Sequence, residues 1–122
     1  MQTVHIRGLT LPRLTLGTVQ LGLAYGIANQ SGKPDEQRSH AILDAALAGG
    51  ITSLDTAAAY GDSEAVLGRY FKARPDGARP ILTTKVKLGV EHPLSPAEAR
   101  GMVRRSLEAS LARLGRASVE LF

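Results

Sequence analysis

The chain has 122 residues, a formal net charge of +4 and a pI of about 9.9; 43% of its residues are hydrophobic and only 4% aromatic. That length suits one ordinary domain with an aliphatic core, and the absence of cysteine excludes disulfides and thiolate metal sites. The start, Met1-Gln2-Thr3-Val4-His5, shows no secretory signal, and no apolar run nears the roughly 20 residues of a membrane helix. The reading is therefore a cytoplasmic protein with no membrane partner.

Val4-His5-Ile6-Arg7 alternates apolar and polar residues, and Gly8 follows. Leu9 to Leu14 returns as a second strand, which Pro12 confines to an edge, so an N-terminal hairpin is predicted. Leu14-Thr15-Leu16-Gly17-Thr18 predicts the first buried strand. Residues 19–33 form a long loop rich in Gly, Asn and Ser. Ordered loops of that length often carry function, but this one lacks a phosphate-loop pattern.

Asp35 is placed to cap a first helix, whose apolar face is Ile42, Leu43, Ala45, Ala46 and Leu47 and whose stop is Gly49-Gly50. A second strand runs from Ile51 to Asp55. A second helix starts near Ser63 and carries Val66, Leu67, Tyr70 and Phe71 at helical spacing. Pro75-Asp76-Gly77 is a turn, and a third strand runs from Ile81 to near Val86. Ser95-Pro96-Ala97-Glu98 is a helix start in which serine caps, proline takes the first position and Glu98 returns a bond to Ser95. Val103, Leu107, Leu111 and Leu114 make the stripe of this third helix, Gly115 ends it, and Val119 to Phe122 begins a fourth strand.

The order is a hairpin, then β-α-β-α-β-α-β, which implies a parallel sheet with right-handed crossovers. Its units recur about every 28 to 38 residues, whereas a closed eight-unit barrel needs roughly 250 residues. Pattern alone does not separate half of such a barrel from a small open doubly wound sheet.

The chemistry-bearing residues fall at strand ends. Asp55 closes the second strand, Tyr60 sits in the loop beyond it, and Lys85 lies near the end of the third. Loops after strand C-termini are where α/β proteins usually place their sites. His5, His40 and His92 have no metal-ligand spacing, so no metal is expected. The basic residues are scattered over predicted helix faces and ends with no aromatics between them. This favours a solvated surface over a nucleic-acid interface.

Asp55-Thr56-Ala57-Ala58-Ala59-Tyr60-Gly61, followed by Ser63-Glu64-Ala65-Val66-Leu67-Gly68, resembles the signature of the aldo-keto reductase superfamily. Thr84-Lys85-Val86 resembles its lysine strand, the stretch from Ser106 to Gly115 its third-helix pattern, and Leu16-Gly17-Thr18 its first-strand motif. The resemblance implies the N-terminal half of a (β/α)8 barrel, with residues 1–122 as part of one domain truncated within strand four. The hairpin would be the plug of the barrel floor, followed by four parallel strands and three helices.

The resemblance further implies a carbonyl reductase using NADPH, less often NADH, on a small carbonyl substrate such as a sugar or other aldehyde. Of its Asp, Tyr, Lys and His tetrad, the first three map to Asp55, Tyr60 and Lys85, and the His lies a few residues past Phe122. The strand carrying it usually has Asp-Leu where this chain has Glu120-Leu121. Gly17, Thr18 and Asp55 are expected on the nicotinamide side, and Tyr25 and Tyr60 at the substrate.

The chemistry fits these residue types. A free phenol ionises near pH 10 and is a weak acid at neutrality. A neighbouring ammonium favours the phenolate and so assists proton donation. Tyr60 would donate the proton, Lys85 would assist it, and Asp55 would keep Lys85 charged and aimed. Two other readings stand beside this one: a barrel aldolase forming a Schiff base on Lys85, and a non-catalytic cofactor-sensing subunit. The isolated chain is expected to self-associate through its open sheet edges and to lack activity alone.

Overall fold

The computed structural model describes residues 2–89 and 91–122. Strands β1 (Thr3–Ile6) and β2 (Leu9–Pro12) form the predicted hairpin, with Val4 opposite Leu11 and Ile6 opposite Leu9. Its two-residue turn is Arg7-Gly8, both at positive φ (48° and 81°), the backbone that matches the right-handed twist of a tight hairpin.

A parallel sheet follows, formed by β3 (Leu16–Gly17), β4 (Ser53–Asp55) and β5 (Ile81–Thr83) in that order. These strands are shorter than the sequence reading, but the pairing outlasts them. The Thr18 amide donates to the Asp55 carbonyl at 2.9 Å, the Thr56 amide to Thr83 at 2.8 Å, and the Ala58 amide to Lys85 at 3.2 Å. The ladder thus carries the chain in order past the strand ends.

Register divides the sheet into two faces. Leu16 pairs with Leu54 and Leu54 with Leu82, while Gly17 pairs with Asp55 and Asp55 with Thr83. Directly paired residues share a face, and successive residues alternate. The leucine row enters the core: Leu54 and Leu82 are fully buried, packed with Leu21, Leu43, Val66, Leu67, Tyr70 and Leu114. The Gly17-Asp55-Thr83 row faces the other way, and Lys85, two residues beyond Thr83, belongs with it.

The predicted fourth strand is reduced to one parallel bridge between Leu121 and Thr83. Leu121 makes both backbone bonds, to the Leu82 carbonyl and from the Thr84 amide, each 3.1 Å. The next β5 donor, the Leu82 amide, is taken by the Glu120 carboxylate at 2.8 Å. A side chain thereby stands where a strand carbonyl would continue the ladder.

Among the described residues four helices cover the core face. Residues 19–33, read as loop, contain the single-turn α1 (Val19–Gly22). Helix α2 (Glu36–Ala48) starts where the Asp35 side chain accepts from the Arg38 amide at 2.7 Å, and Gly50 follows its end at φ 84°. Helix α3 spans Ser63–Lys72, and α4 spans Pro96–Leu114. Both bonds of the Ser95–Glu98 capping box form, and Gly115 closes α4 at φ 62°.

The stripe predicted for α4 is buried only at its end. Leu114 is fully buried, Leu107 and Leu111 are half-buried, and Val103 is exposed. Helix α4 crosses α3 near its C-terminus, where a Cβ at Gly68 would stand 2.1 Å from the Arg113 carbonyl oxygen. That closest approach lies beyond most of the stripe. Ile42, on the predicted face of α2, is likewise exposed.

Candidate active site

Asp55 ends β4 and Lys85 follows β5 on the same face, so their side chains meet across the C-terminal ends of the strands. Lys85 Nζ donates to Asp55 Oδ1 at 2.6 Å and to the Thr56 carbonyl at 2.9 Å. Two of its three donors are fixed in this way, one by a carboxylate and one by a carbonyl oxygen. The same Nζ lies 5.0 Å from the centroid of the Tyr60 ring, a cation–π distance. Among the described residues no hydrogen bond joins the Tyr60 hydroxyl to Lys85. The pair is partly open to solvent, Lys85 at 46% and Asp55 at 33% side-chain exposure.

The Tyr60 loop is set by backbone contacts. The Tyr60 amide donates to Ala57, and its carbonyl accepts from Ser63 at 3.0 Å. Gly61 takes φ 57°, and a Cβ there would lie 2.3 Å from the Gly22 carbonyl oxygen. From the other side, a Cβ on Gly22 would lie 1.8 Å from the Tyr60 carbonyl oxygen. The end of α1 and the Tyr60 loop thus touch main chain to main chain.

A buried hydroxyl cluster supports this junction. Thr18, Thr56 and Ser63 are fully buried. Thr18 Oγ1 donates to the Asp55 carbonyl at 2.9 Å, and Ser63 Oγ lies 2.8 Å from Thr18 Oγ1 and 3.0 Å from Thr56 Oγ1. Thr18, expected on the nicotinamide side, thus turns its hydroxyl inward, where it anchors the strand end that carries Asp55. Gly17 differs, since a Cβ added there would meet nothing within 4 Å. It leaves open space on the face it shares with Asp55. Tyr25 is 57% exposed; its carbonyl accepts from Gln20 and Asn29, which order the long loop, and no described contact links its phenol to the Asp55–Lys85 pair.

Sequence reasoning missed several supporting groups. Glu64 is 2% exposed, accepts from Thr84 Oγ1 at 2.6 Å and pairs with Arg113 at 2.7 Å, linking β5, α3 and α4. Lys33 bonds Asp62 at 2.6 Å, tying the long loop to the segment after Tyr60 and holding the Asp62 carboxyl below the usual range. The only advance signal was the placement of an acid within helical turns that otherwise read as core. Among the described residues no group of three or more His, Asp or Glu is placed to hold a metal, and no helix is long and apolar enough to cross a membrane.

Tyr70 behaves differently from Tyr60. Its hydroxyl donates to Asp44 at 2.7 Å, and burial followed by that carboxylate pushes the phenol up to about 12. The same bond, with Arg74, holds Asp44 low. The unfolded chain loses the phenolic proton near pH 10. Between about pH 10 and 12 it therefore binds fewer protons than the folded chain, and stability falls as pH rises. Urea midpoints are expected to drop between pH 9 and pH 11, and Tyr70→Phe is expected to flatten that drop. An unchanged slope in Tyr70→Phe would assign it elsewhere.

Hairpin, parallel β/α units and a lysine–carboxylate pair at the strand C-termini define a chain of the (β/α)8-barrel class with a strand-end site. The chain belongs to the Aldo/keto reductase family, whose pattern matches residues 13–122. It is 33% identical over 127 aligned residues to YrpG, an uncharacterized oxidoreductase of Bacillus subtilis, covering 94% of this chain and 36% of YrpG. Among solved structures it resembles PA4992 of Pseudomonas aeruginosa, an aldo-keto reductase candidate, at TM-score 0.72 and 35% identity over 93% of this chain and 42% of that one. It also resembles the holo form of aldo-keto reductase AKR11C1 from Bacillus halodurans at TM-score 0.68 and 27% identity, covering 98% and 38%. The chain thus spans well under half the length of these relatives, and its fold is that of the first half of their barrel.

Proposed function

We propose that the chain supplies the proton-donating side of a carbonyl reductase that uses NADPH, less often NADH, to convert a small aldehyde or ketone to an alcohol. The observation that carries this reading is the Lys85 ammonium, held by Asp55 and Thr56 and lying 5.0 Å from the Tyr60 ring. On this reading residues 1–122 are the N-terminal part of one (β/α)8 domain, working in the cytoplasm on a sugar or other aldehyde, and the remaining tetrad His lies past Phe122. Alone, the chain would be inactive and would self-associate through the outer edges of β3 and Leu121.

The residues fit the nicotinamide end of such a cofactor. Gly17 leaves open space on the face it shares with Asp55, so a flat ring and its ribose would lie there, against Gly17 and Asp55. When bound, the reduced nicotinamide supplies the hydride. The Tyr60 hydroxyl gives its proton to the substrate oxygen as negative charge develops there. The Lys85 ammonium stabilises the charge left on the phenol oxygen, and Asp55 keeps that ammonium in place.

A Schiff-base lyase acting through Lys85 is the competing chemistry. It requires an amine free to attack a carbonyl, whereas Lys85 Nζ is already engaged by Asp55 Oδ1 at 2.6 Å and the Thr56 carbonyl at 2.9 Å. The test is incubation of the whole enzyme with an aldehyde in two arms, one with NADPH and one with borohydride. Oxidation of NADPH with alcohol formed in equal amount, and no covalent adduct on Lys85, is the expected result. A borohydride-trapped adduct on Lys85 without NADPH oxidation would overturn the proposal.

A further inference from the structure

A second feature lies at the opposite end of the sheet from Asp55 and Lys85. The C-terminal ends of α3 and α4, with the segment leading into β5, border a half-open cavity of about 660 Å³. That volume is in the range of small-molecule sites. Six basic side chains line it, Arg69, Lys72, Arg74, Arg79, Arg113 and Arg116, and no Asp or Glu does.

Three of the six are spoken for. Arg69 pairs with Glu36 at 2.8 Å, Arg74 with Asp44 at 2.7 Å and Arg113 with Glu64 at 2.7 Å. Lys72, Arg79 and Arg116 have no ion pair among the described residues. Helix chemistry accounts for some of the charge, since Arg69 and Lys72 lie in the last turn of α3 and Arg113 in that of α4, where cations offset the carbonyl end of the dipole. It does not account for Arg79 or Arg116, which lie outside the helices.

Arg116 is the informative residue. Its guanidinium stacks over Phe71 at 4.7 Å. Its Nη2 is shielded from solvent with no hydrogen-bond partner. Burial lowers its pKa, Glu120 partly offsets that, and the field of Arg79 adds a smaller lowering. A guanidinium N–H with nothing to donate to costs free energy, and an anionic oxygen recovers that cost once the guanidinium turns Nη2 out of its shielded position. Two like charges lining the cavity with a third, Lys72, and with Glu120 as the one acid acting on Arg116, call for a multivalent anion.

We propose that this cavity is an accessory binding site for the phosphate group of a small anion, either free phosphate or a phosphate ester, held by Arg79 and Arg116 with Lys72. Arg is suited to two-pronged contact with phosphate oxygens and Lys to a point-charge contact. The inference does not depend on the reductase reading, because none of these residues belongs to the Asp55–Tyr60–Lys85 site.

The test is calorimetric titration of the whole protein at low ionic strength with inorganic phosphate and, separately, with ADP. Saturable binding of one equivalent is expected. It should weaken by about tenfold or more in Arg79→Gln/Arg116→Gln, weaken less in Lys72→Gln, and survive in Lys85→Met. Stronger binding of ADP than of phosphate, with the same Arg dependence, would mark an ester as the ligand; equal binding would mark phosphate itself. Circular dichroism of each variant checks the fold, and the exposed Lys72 reports even if the double variant unfolds. No saturable binding, or binding lost in Lys85→Met and kept in the arginine and Lys72 variants, would overturn the proposal.

Discussion

Replacing Tyr60 with phenylalanine is expected to lower kcat for aldehyde reduction by the whole enzyme about 10²- to 10⁴-fold, the usual worth of a positioned general acid. The ring remains, and so does its contact with the Lys85 ammonium, 5.0 Å from the centroid in the parent chain. KM for the aldehyde should therefore change much less than kcat, because the lost group matters when charge develops on the substrate oxygen. Asp55→Asn tests the next link. It keeps the side chain's size and removes the charge that Lys85 meets at 2.6 Å. Steady-state kinetics on both variants and their combination should show losses well short of multiplicative, since the groups act as a unit. A Tyr60→Phe enzyme with near-parent kcat would place the proton donor elsewhere.

The second large effect is at a residue with no chemistry. Gly22→Ala would put a Cβ 1.8 Å from the Tyr60 carbonyl oxygen and 2.5 Å from the Ser63 amide nitrogen. Both atoms are main chain, so neither can rotate away, and α1 or the Tyr60 loop must move. Overpacking of this kind typically costs about 1–3 kcal/mol and occasionally more. Displacing a proton donor by about 1 Å can by itself cost 10²-fold in rate. Urea unfolding should show a lower midpoint, and kcat should fall together with it. Gly17→Ala is the contrasting variant. Its Cβ would meet nothing within 4 Å, so stability should hold while cofactor affinity falls. Parent-like stability and rate in Gly22→Ala would show that this junction is looser than its distances indicate.

The contrast between these two glycines shows where sequence reading stops. Asp55 and Lys85 were legible because each closes a β-leaning run, and strand ends in an alternating β/α chain converge. The caps at Asp35, Ser95 and Gly115 were legible because their partners lie within a few residues. Gly22 was not, because the atom that excludes a side chain there belongs to Tyr60, far along the chain and across a helix. The burial of Thr18 was illegible for the same reason: its motif marked a strand end, while its burial depends on Ser63 and Thr56 from other units. Glu64 reads locally as a helix acid, and only the arrival of Thr84 and Arg113 makes its burial intelligible. The α4 stripe failed in the opposite sense. Its spacing was correct, but spacing says nothing of how far along the helix a neighbour reaches.

The alternation along β3, β4 and β5 has a consequence for how such a chain can change over generations. Leucines at 16, 54 and 82 face inward, and Gly17, Asp55 and Thr83 face away from them. Neighbouring codons thus answer to separate selective pressures, one for a durable scaffold and one for reactivity. A lineage can rewrite the second set while the first stays fixed, so new specificities can arise here without first rebuilding the support beneath them.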